Sequence, residues 1–174
     1  MRNDRRALIP AFVLIAAASA PAVAQQTATF HHSGQPMSIE APAEWRAGAW
    51  QGDPGVYEVS APDGAVRALL WFTLTENGAH GYLRKMLGMK PLEPTGEPVR
   101  TTIGGREAWR AVATGTEQGD ENVTETFAVV GVDIGTPAGG NYVLQVWCPS
   151  GQATEFGPLI ESIVSSLRVD RAAG

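Results

Sequence analysis

The chain has 174 residues, of which 44% are hydrophobic and 18% are charged, and its formal net charge is −5 at pH 7. This length suits one domain, and this composition allows a real core, which excludes a chain that is disordered throughout. The acidic balance argues against nucleic acid and against a polybasic membrane contact, because both select clustered Lys and Arg. A single cysteine excludes an internal disulfide framework.

Residues 1–24 have the three parts of a secretory signal peptide. An arginine-rich start precedes an apolar centre at residues 7–20, and the triplet Ala22–Ala24 has the small-x-small pattern, which predicts cleavage after Ala24. Prolines interrupt the segment, and its centre is shorter than the ~20 residues of a spanning helix. We therefore expect a periplasmic or secreted domain, 25–174, with net charge −7 and no stable membrane anchor after cleavage.

Short strands joined by turns are predicted over the first half of this domain. Apolar runs and alternation place strands at Thr29–His32, Met37–Glu40, Val56–Ser60 and Val66–Thr75. The turn at Pro62–Gly64 joins the last two strands into a hairpin. Trp45 ends a loop after Pro42 and is expected to fill one end of the core, because a Trp side chain buries a large area.

The middle of the chain combines one short helix with a second hairpin. Helical spacing of apolar residues predicts a helix over Ala79–Met89, and a proline-rich connector follows in which no central strand could persist. Two strands, Val99–Ile103 and Arg106–Thr114, flank Gly104-Gly105, a pair suited to a two-residue hairpin turn. In the second strand, the side chains of Trp109, Ala111 and Ala113 are predicted to share one face.

The last third ends in the strongest pattern of the sequence. After an acidic loop at 117–121, a strand at Val123–Val132 and a glycine-rich turn at 135–140, a buried strand begins at Tyr142. A helix follows it directly. Its apolar residues recur at spacings of three and four and are Phe156, Leu159, Ile160, Ile163, Val164 and Leu167. The element order predicts an α+β domain, with a mostly antiparallel central sheet flanked by helices and a long C-terminal amphipathic helix.

Three segments resemble the PsbP-like (Mog/PsbP) alpha-beta sandwich superfamily, nearest to bacterial DcrB-like envelope proteins. They are the opening Gly34–Ala47, the hairpin Thr101–Ala113 and the closing Tyr142–Val169. The resemblance implies a central antiparallel sheet with helices on its faces. It implies no single activity, since proteins with different functions share this fold, and no functional residue is carried over from the family.

Cys148 lies between the last strand and the last helix, where a thiol could be exposed to the positive end of a helix dipole. Trp147-Cys148-Pro149-Ser150 resembles the redox motif of thioredoxin-like enzymes, but Ser150 replaces the second cysteine. The favoured interpretation is a buried structural thiol. A reactive or intermolecularly paired Cys148 is the alternative.

Other motifs give no catalytic or metal site. His31 and His32 are adjacent, so in a strand they point to opposite faces, and no spaced His or Cys completes a zinc pattern. The acidic run from Glu117 to Glu125 lacks the spacing of a calcium loop and is interpreted as a solvated hairpin tip. No nucleophile elbow, phosphate loop or dinucleotide motif occurs. We therefore assign no catalytic, cofactor or metal residues.

Three hypotheses about function remain open. The first is a non-catalytic binding or adaptor module of the cell envelope that holds an envelope protein or a small ligand. Trp45, Trp50 and Trp71 are its candidate contacts, although a place in the core is the favoured interpretation of each. The second is a small periplasmic hydrolase that uses His31 or His32 as base, and the third is a purely structural envelope component. A concave pocket with a His near an acid and a hydroxyl would favour the enzyme, whereas an apolar groove would favour binding.

Overall fold

A computed structural model describes residues 26–75, 78–87, 92–115, 127–128 and 140–170. The signal peptide with its cleavage point at Ala24, the acidic run 117–125 and the glycine-rich turn lie outside these residues, apart from Gly140. Of the strand predicted at Val123–Val132, residues Phe127–Ala128 are described and are extended.

The described residues form an α+β fold with twelve strands and two α-helices. The strands are β1 Thr27–His31, β2 Met37–Pro42, β3 Arg46–Trp50, β4 Asp53–Ser60, β5 Arg67–Leu74, β6 Leu92–Pro94, β7 Val99–Ile103, β8 Arg106–Arg110, β9 Ala113–Gly115, β10 Phe127–Ala128, β11 Gly140–Trp147 and β12 Arg168–Val169. The helices are α1 Gly78–Leu87 and α2 Ala153–Ser166, and a single 3-10 turn, Ser150–Gln152, precedes α2.

All strand pairs within the described ranges are antiparallel. Five strands form the largest sheet, in the order β10-β11-β5-β4-β3, and three form a second, in the order β1-β2-β12. The pairs β6-β9 and β7-β8 stand apart from these sheets. The antiparallel α+β class predicted from the sequence is confirmed, with the strands distributed over one large and three smaller sheets.

Strand β11 contacts both helices, α1 and α2, and its residues from Gly140 to Val146 are all buried. It pairs with β5 over its whole length, from Gly140 opposite Leu74 to Trp147 opposite Arg67. Alternate side chains of a strand point to opposite faces, so Tyr142, Leu144 and Val146 enter the main core, while Trp147 packs in a second cluster on the α1 side.

The main core is enclosed by the large sheet, the three-stranded sheet and α2. Its fully buried side chains include Ile39 of β2, Leu70 of β5 and Ile163 of α2. The stripe predicted for the C-terminal helix does face this core, with Ile160, Ile163 and Val164 buried. The helix has 14 residues and ends at Ser166, one residue before the last residue of the predicted stripe, and the following strand β12 pairs with β2.

Ser166 attaches the end of α2 to β2. Its Oγ accepts the backbone N–H of Glu40 at 2.8 Å and donates to the Ile163 carbonyl at 2.7 Å. Beyond the helix, the N–H of Asp170 donates to the Pro36 carbonyl at 2.9 Å. These bonds fix the helix relative to the three-stranded sheet.

The β7-β8 hairpin has the predicted Gly-Gly turn. Both glycines have positive φ, +58° at Gly104 and +75° at Gly105, which side chains with a Cβ rarely adopt. At Gly104 an added Cβ would also lie 3.0 Å from the Leu167 carbonyl oxygen, whereas at Gly105 it would meet open space. The turn therefore approaches the end of α2 closely at Gly104 alone.

The second cluster lies on the opposite face of the large sheet, under α1. Leu83 is fully buried there with Ala111 and Ala113, and Trp109 packs against them. The predicted common face of Trp109, Ala111 and Ala113 is thereby confirmed, although their strand is interrupted after Arg110 and resumes as β9, paired with β6.

Candidate functional site

An open groove of about 340 Å³ lies at one end of the sandwich. Three elements form it: the turn between β2 and β3, the turn between β4 and β5, and the first half of α2. Its lining residues, here called the end groove, are Pro42, Glu44, Trp45, Ala61, Pro62, Asp63, Ala65, Val66, Phe156 and Leu159. Its volume falls at the lower end of the range of about 300–1,000 Å³ typical of small-molecule sites.

The first wall is the turn from Pro42 to Trp45. The Trp45 N–H donates to the Pro42 carbonyl at 3.0 Å, which closes the turn and directs the Trp side chain inward. Trp45 is 7% exposed and belongs to the main core. The prediction that it fills one end of the core is confirmed, and the same residue also lines the groove.

The second wall is the hairpin turn from Ala61 to Val66. The Gly64 N–H donates to the Ala61 carbonyl and the Ala61 N–H to the Val66 carbonyl, both at 2.9 Å. Oδ1 of Asp63 accepts the Ala65 N–H at 3.0 Å, as Asp does in turns of this kind. This side chain therefore stabilises the turn from an exposed position beside the groove.

The third wall is α2. Phe156 and Leu159 lie three residues apart, so they occupy the same side of the helix, and both are half-buried against the main core. The stripe that attaches the helix to the core thus also forms part of the groove. Together with Trp45 and Val66, these side chains make a floor and wall that are apolar and partly aromatic.

The rim of the end groove is acidic. Glu44 and Asp63 are its charged residues, both are exposed, and they lie on different turns. The described lining includes no His, Cys, Ser, Thr, Lys or Arg. The described lining therefore combines apolar surface with two carboxylates and has no hydroxyl or thiol nucleophile and no histidine base.

His32 lies away from the end groove and stabilises a turn. Its Nδ1 accepts the backbone N–H groups of Gly34 and Gln35 at 3.0 and 3.2 Å, and its Nε2 lies 3.4 Å from the Gly55 carbonyl oxygen. Its ring centroid is 5.5 Å from that of Tyr57. Burial lowers the pKa of His32, against a smaller opposing effect of the Gly55 contact.

This bonding leaves little capacity for base catalysis at His32, because the Nδ1 lone pair already accepts two N–H groups. His31 is exposed at the end of β1. Neither histidine belongs to the described lining of the end groove.

Cys148 follows β11 and is 4% exposed within the main core. Burial raises the pKa of its thiol. A reactive cysteine needs a lowered pKa and solvent access, so this environment favours the protonated, packed thiol.

The other two candidate tryptophans lie outside the end groove. Trp50 ends the edge strand β3, and its ring covers Gly52, where an added Cβ would lie 2.6 Å from ring carbons. Trp71 faces α1, and its Nε1 donates to the hydroxyl of Tyr82 at 3.3 Å. Desolvation raises the pKa of Tyr82, and the bond from Trp71 opposes this shift.

Within the described part of the chain, no group of three or more His, Cys, Asp or Glu side chains is arranged to hold a metal ion. The helices in that part are also too short or too polar to cross a bilayer.

No protein-family model matches the sequence, and no curated protein sequence matches it. Similarity is found among solved structures, and it defines the class of fold. The chain is similar to cyanobacterial PsbP (CyanoP) from Synechocystis sp. PCC 6803, with a TM-score of 0.55 and 9% identity, over 87% of this chain and 96% of that chain.

It is also similar to LpqN of Mycobacterium tuberculosis, which is involved in cell envelope biogenesis. That match has a TM-score of 0.54 and 18% identity over 84% of this chain and 91% of LpqN. The PsbP-like resemblance predicted from the sequence is thus confirmed at the level of the fold.

Proposed function

We propose that this protein is an exported, non-catalytic binding module of the cell envelope. The observation that carries the proposal is the end groove, a concave apolar surface built on hydrogen-bonded turns and a helix rather than on loose loops. Such clefts with a few polar groups at the rim are the usual form of a ligand site. LpqN, a protein of similar fold, has a described part in envelope biogenesis.

The described lining carries two carboxylates but no hydroxyl, thiol or imidazole, so it gives no support to a hydrolase with a serine or cysteine nucleophile and His31 or His32 as base. A purely structural role is the third hypothesis, and the large apolar residues exposed in the described chain are Leu74 at the end of β5, Val99 at the start of β7 and Val112 between β8 and β9.

The test compares three purified forms of the mature protein, 25–174, incubated with extract of the cell envelope. Ala65→Phe would fill the groove from a half-exposed lining position, and Thr102→Phe adds the same ring at an exposed strand position in the β7-β8 hairpin. Circular dichroism confirms that each form is folded, and mass spectrometry identifies retained molecules. A ligand retained by wild type and Thr102→Phe but lost from Ala65→Phe supports the proposal. Equal retention by all three forms, or none by any, contradicts it.

Export is proposed from the signal peptide pattern at 1–24. Expression of the full chain in a Gram-negative host should give a periplasmic product whose N-terminus is Gln25. Ala24→Lys removes the small residue at the cleavage point and should leave an uncleaved form in the membrane fraction. A cytoplasmic product that begins at Met1 would contradict the assignment.

A further inference from the structure

The ring of His32 holds the turn between β1 and β2 through one nitrogen atom. Its Nδ1 accepts the backbone N–H groups of Gly34 and Gln35 at 3.0 and 3.2 Å. A ring nitrogen accepts hydrogen bonds only while it carries no proton, so this geometry requires the neutral imidazole with its proton on Nε2. In that tautomer the Nε2–H group lies next to the Gly55 carbonyl oxygen of β4, with Nε2 3.4 Å from the oxygen.

The turn held by this ring is continuous with the pairing of the last strand. The segment from His32 to Met37, here called the His32 turn, is closed by a bond from the His32 N–H to the Met37 carbonyl at 2.9 Å. Met37 pairs with Val169 of β12, and the Pro36 carbonyl accepts the Asp170 N–H at 2.9 Å. The shape of the turn therefore positions the groups that bind the C-terminal strand.

The surroundings of His32 offer no described partner for a positive charge. The titratable residues of the neighbouring elements are His31 on β1, Glu40 on β2, Asp53, Tyr57 and Glu58 on β4, and Arg168 and Asp170 in and after β12. Of these, Tyr57 contacts His32 through its ring, and the Asp53 carboxylate accepts the Gly55 N–H. Glu58 follows Tyr57 in β4, so its side chain points to the other face. Within the described part of the chain, no ion pair includes His32.

A second proton on the His32 ring would disrupt the turn. It would go to Nδ1, because Nε2 already carries one, and the new Nδ1–H would point at the N–H groups of Gly34 and Gln35. Both of those hydrogen bonds would be lost, and three donors would face one another. The contact with Gly55 needs only Nε2–H, so it is compatible with both charge states.

We propose that the His32 turn is an acid-sensitive switch that releases β12 from β2 when His32 is protonated. Because burial lowers the folded-state pKa of His32, its contribution to stability is fully present above the unfolded pKa of about 6.5 and is lost as pH falls through the folded pKa. The change should end at β12, since Ser166 holds the end of α2 to the Glu40 N–H independently of the turn.

The test follows the mature protein, 25–174, by nuclear magnetic resonance from pH 7.5 to pH 4.5. The nitrogen shifts of the rings report which nitrogen of His32 is protonated, and amide hydrogen exchange reports opening. After correction for the intrinsic rate, exchange at Gln35 and Asp170 should become about three- to tenfold faster as His32 titrates, as expected for the loss of one or two hydrogen bonds. Exchange at Leu70 and Leu144 in the main core should not follow this titration.

Two variants separate His32 from other acid-sensitive groups. His32→Asn keeps a side-chain oxygen near the position of Nδ1, which can accept the same N–H groups but does not titrate. Its protection at Asp170 should stay the same over this pH range. His31→Asn removes the exposed neighbouring imidazole and should keep the pH dependence of wild type. Circular dichroism verifies the fold of both variants, and the titration of wild type is informative without them.

Three results would overturn the proposal. The first is a spectrum in which Nδ1 of His32 already carries a proton at pH 7.5. The second is unchanged protection of Asp170 as His32 titrates, even if Gln35 opens, because the change would then end within the turn. The third is an Asp170 transition that persists in His32→Asn, since another group would then be the one that titrates.

Discussion

The face of the five-stranded sheet that meets α2 is covered by aliphatic and aromatic side chains, whereas the face that meets α1 mixes apolar residues with polar partners. On the first face, Leu70 and Leu144 are fully buried in the main core. On the second, Asn141 and Gln145 are buried in the same strand that carries Trp147, and Arg67 lies 5.2 Å from the Trp147 ring centroid.

The difference between the two faces shows that one strand contributes side chains to both hydrophobic clusters. Because side chains alternate along β11, a single run of eight residues supplies both the main core and the smaller cluster under α1. The α2 face depends on the close packing of apolar side chains such as Leu70 and Leu144. The α1 face depends in part on directional bonds such as that between Trp71 and Tyr82.

The largest effect should come from a cavity on the α2 face. Leu144→Ala should lower the free energy of unfolding by about 3–5 kcal/mol, and Leu83→Ala on the α1 face by about 2–3 kcal/mol, because the half-buried neighbours of Leu83 can close part of its cavity. Urea denaturation of both variants measures the difference. An equal or larger loss for Leu83→Ala would remove the distinction between the two faces.

A smaller effect is expected at the hairpin turn beside α2. Gly105→Ala should destabilise the protein by about 1–2 kcal/mol because of its positive φ. Gly104→Ala should destabilise the protein more than Gly105→Ala, since its Cβ would also contact the Leu167 carbonyl. Thermal unfolding of this matched pair tests whether the end of α2 is held tightly. Equal melting temperatures would show that the end of the helix can move away.

The α1 face is tested through its hydrogen bond. Tyr82→Phe keeps the ring but removes the acceptor of the Trp71 N–H, and it should lower the free energy of unfolding by about 0.5–1.5 kcal/mol. Hydrogen exchange should show greater opening of α1 than of α2. Phe72→Leu is a comparison variant on the other face of β5, because Phe72 packs against the main core. The faster hydrogen exchange that it causes should not be confined to α1.

The smallest effect concerns an exposed ion pair that joins β8 to α2. The Arg110 guanidinium makes two hydrogen bonds to the Glu161 carboxylate, and this contact lowers the pKa of Glu161 against a weaker opposing effect of burial. Because the folded-state pKa lies below the unfolded value, the stabilisation is present above the unfolded pKa and is lost as pH falls through the folded pKa.

Solvent screens this pair, since the Glu161 side chain is 53% exposed, so Glu161→Gln should lower stability at pH 7 by only about 0.2–1 kcal/mol. The difference between wild type and variant should shrink below the pKa of Glu161. Urea titrations at pH 7 and pH 3 measure it. If the difference in unfolding free energy between wild type and Glu161→Gln were larger at pH 3 than at pH 7, the expected direction of the pH dependence would be wrong.

Local patterns predicted most elements of the fold. Gly104-Gly105 specified its turn, and the alternation of Trp109, Ala111 and Ala113 placed those side chains in one cluster. Strand β3 was missed because Arg46–Trp50 has no clear alternation and is extended by pairing with β4. The split between β8 and β9 was also missed, because it depends on the separate pairing of β9 with β6.

The end groove could be predicted only in pieces. The sequence marked Trp45 as core, Pro62–Gly64 as a turn and Phe156 as part of a helical stripe, and each of these assignments is confirmed. Their meeting at one place depends on contacts between segments more than 90 residues apart in the chain. No local pattern encodes that meeting, so the groove becomes visible only in three dimensions.

The pairing of β12 with β2 has a consequence for the order in which the chain can fold. Arg168 lies opposite Ser38 and Val169 opposite Met37, so the three-stranded sheet is completed only after Val169 has been synthesised, about 130 residues after β2. Pairing over such sequence distances is slow, because the intervening chain must first lose conformational entropy. A nascent chain released before β12 would leave the edge of β2 and part of the main core open to water. Such a chain would be a natural target for holding chaperones until its last strand is in place.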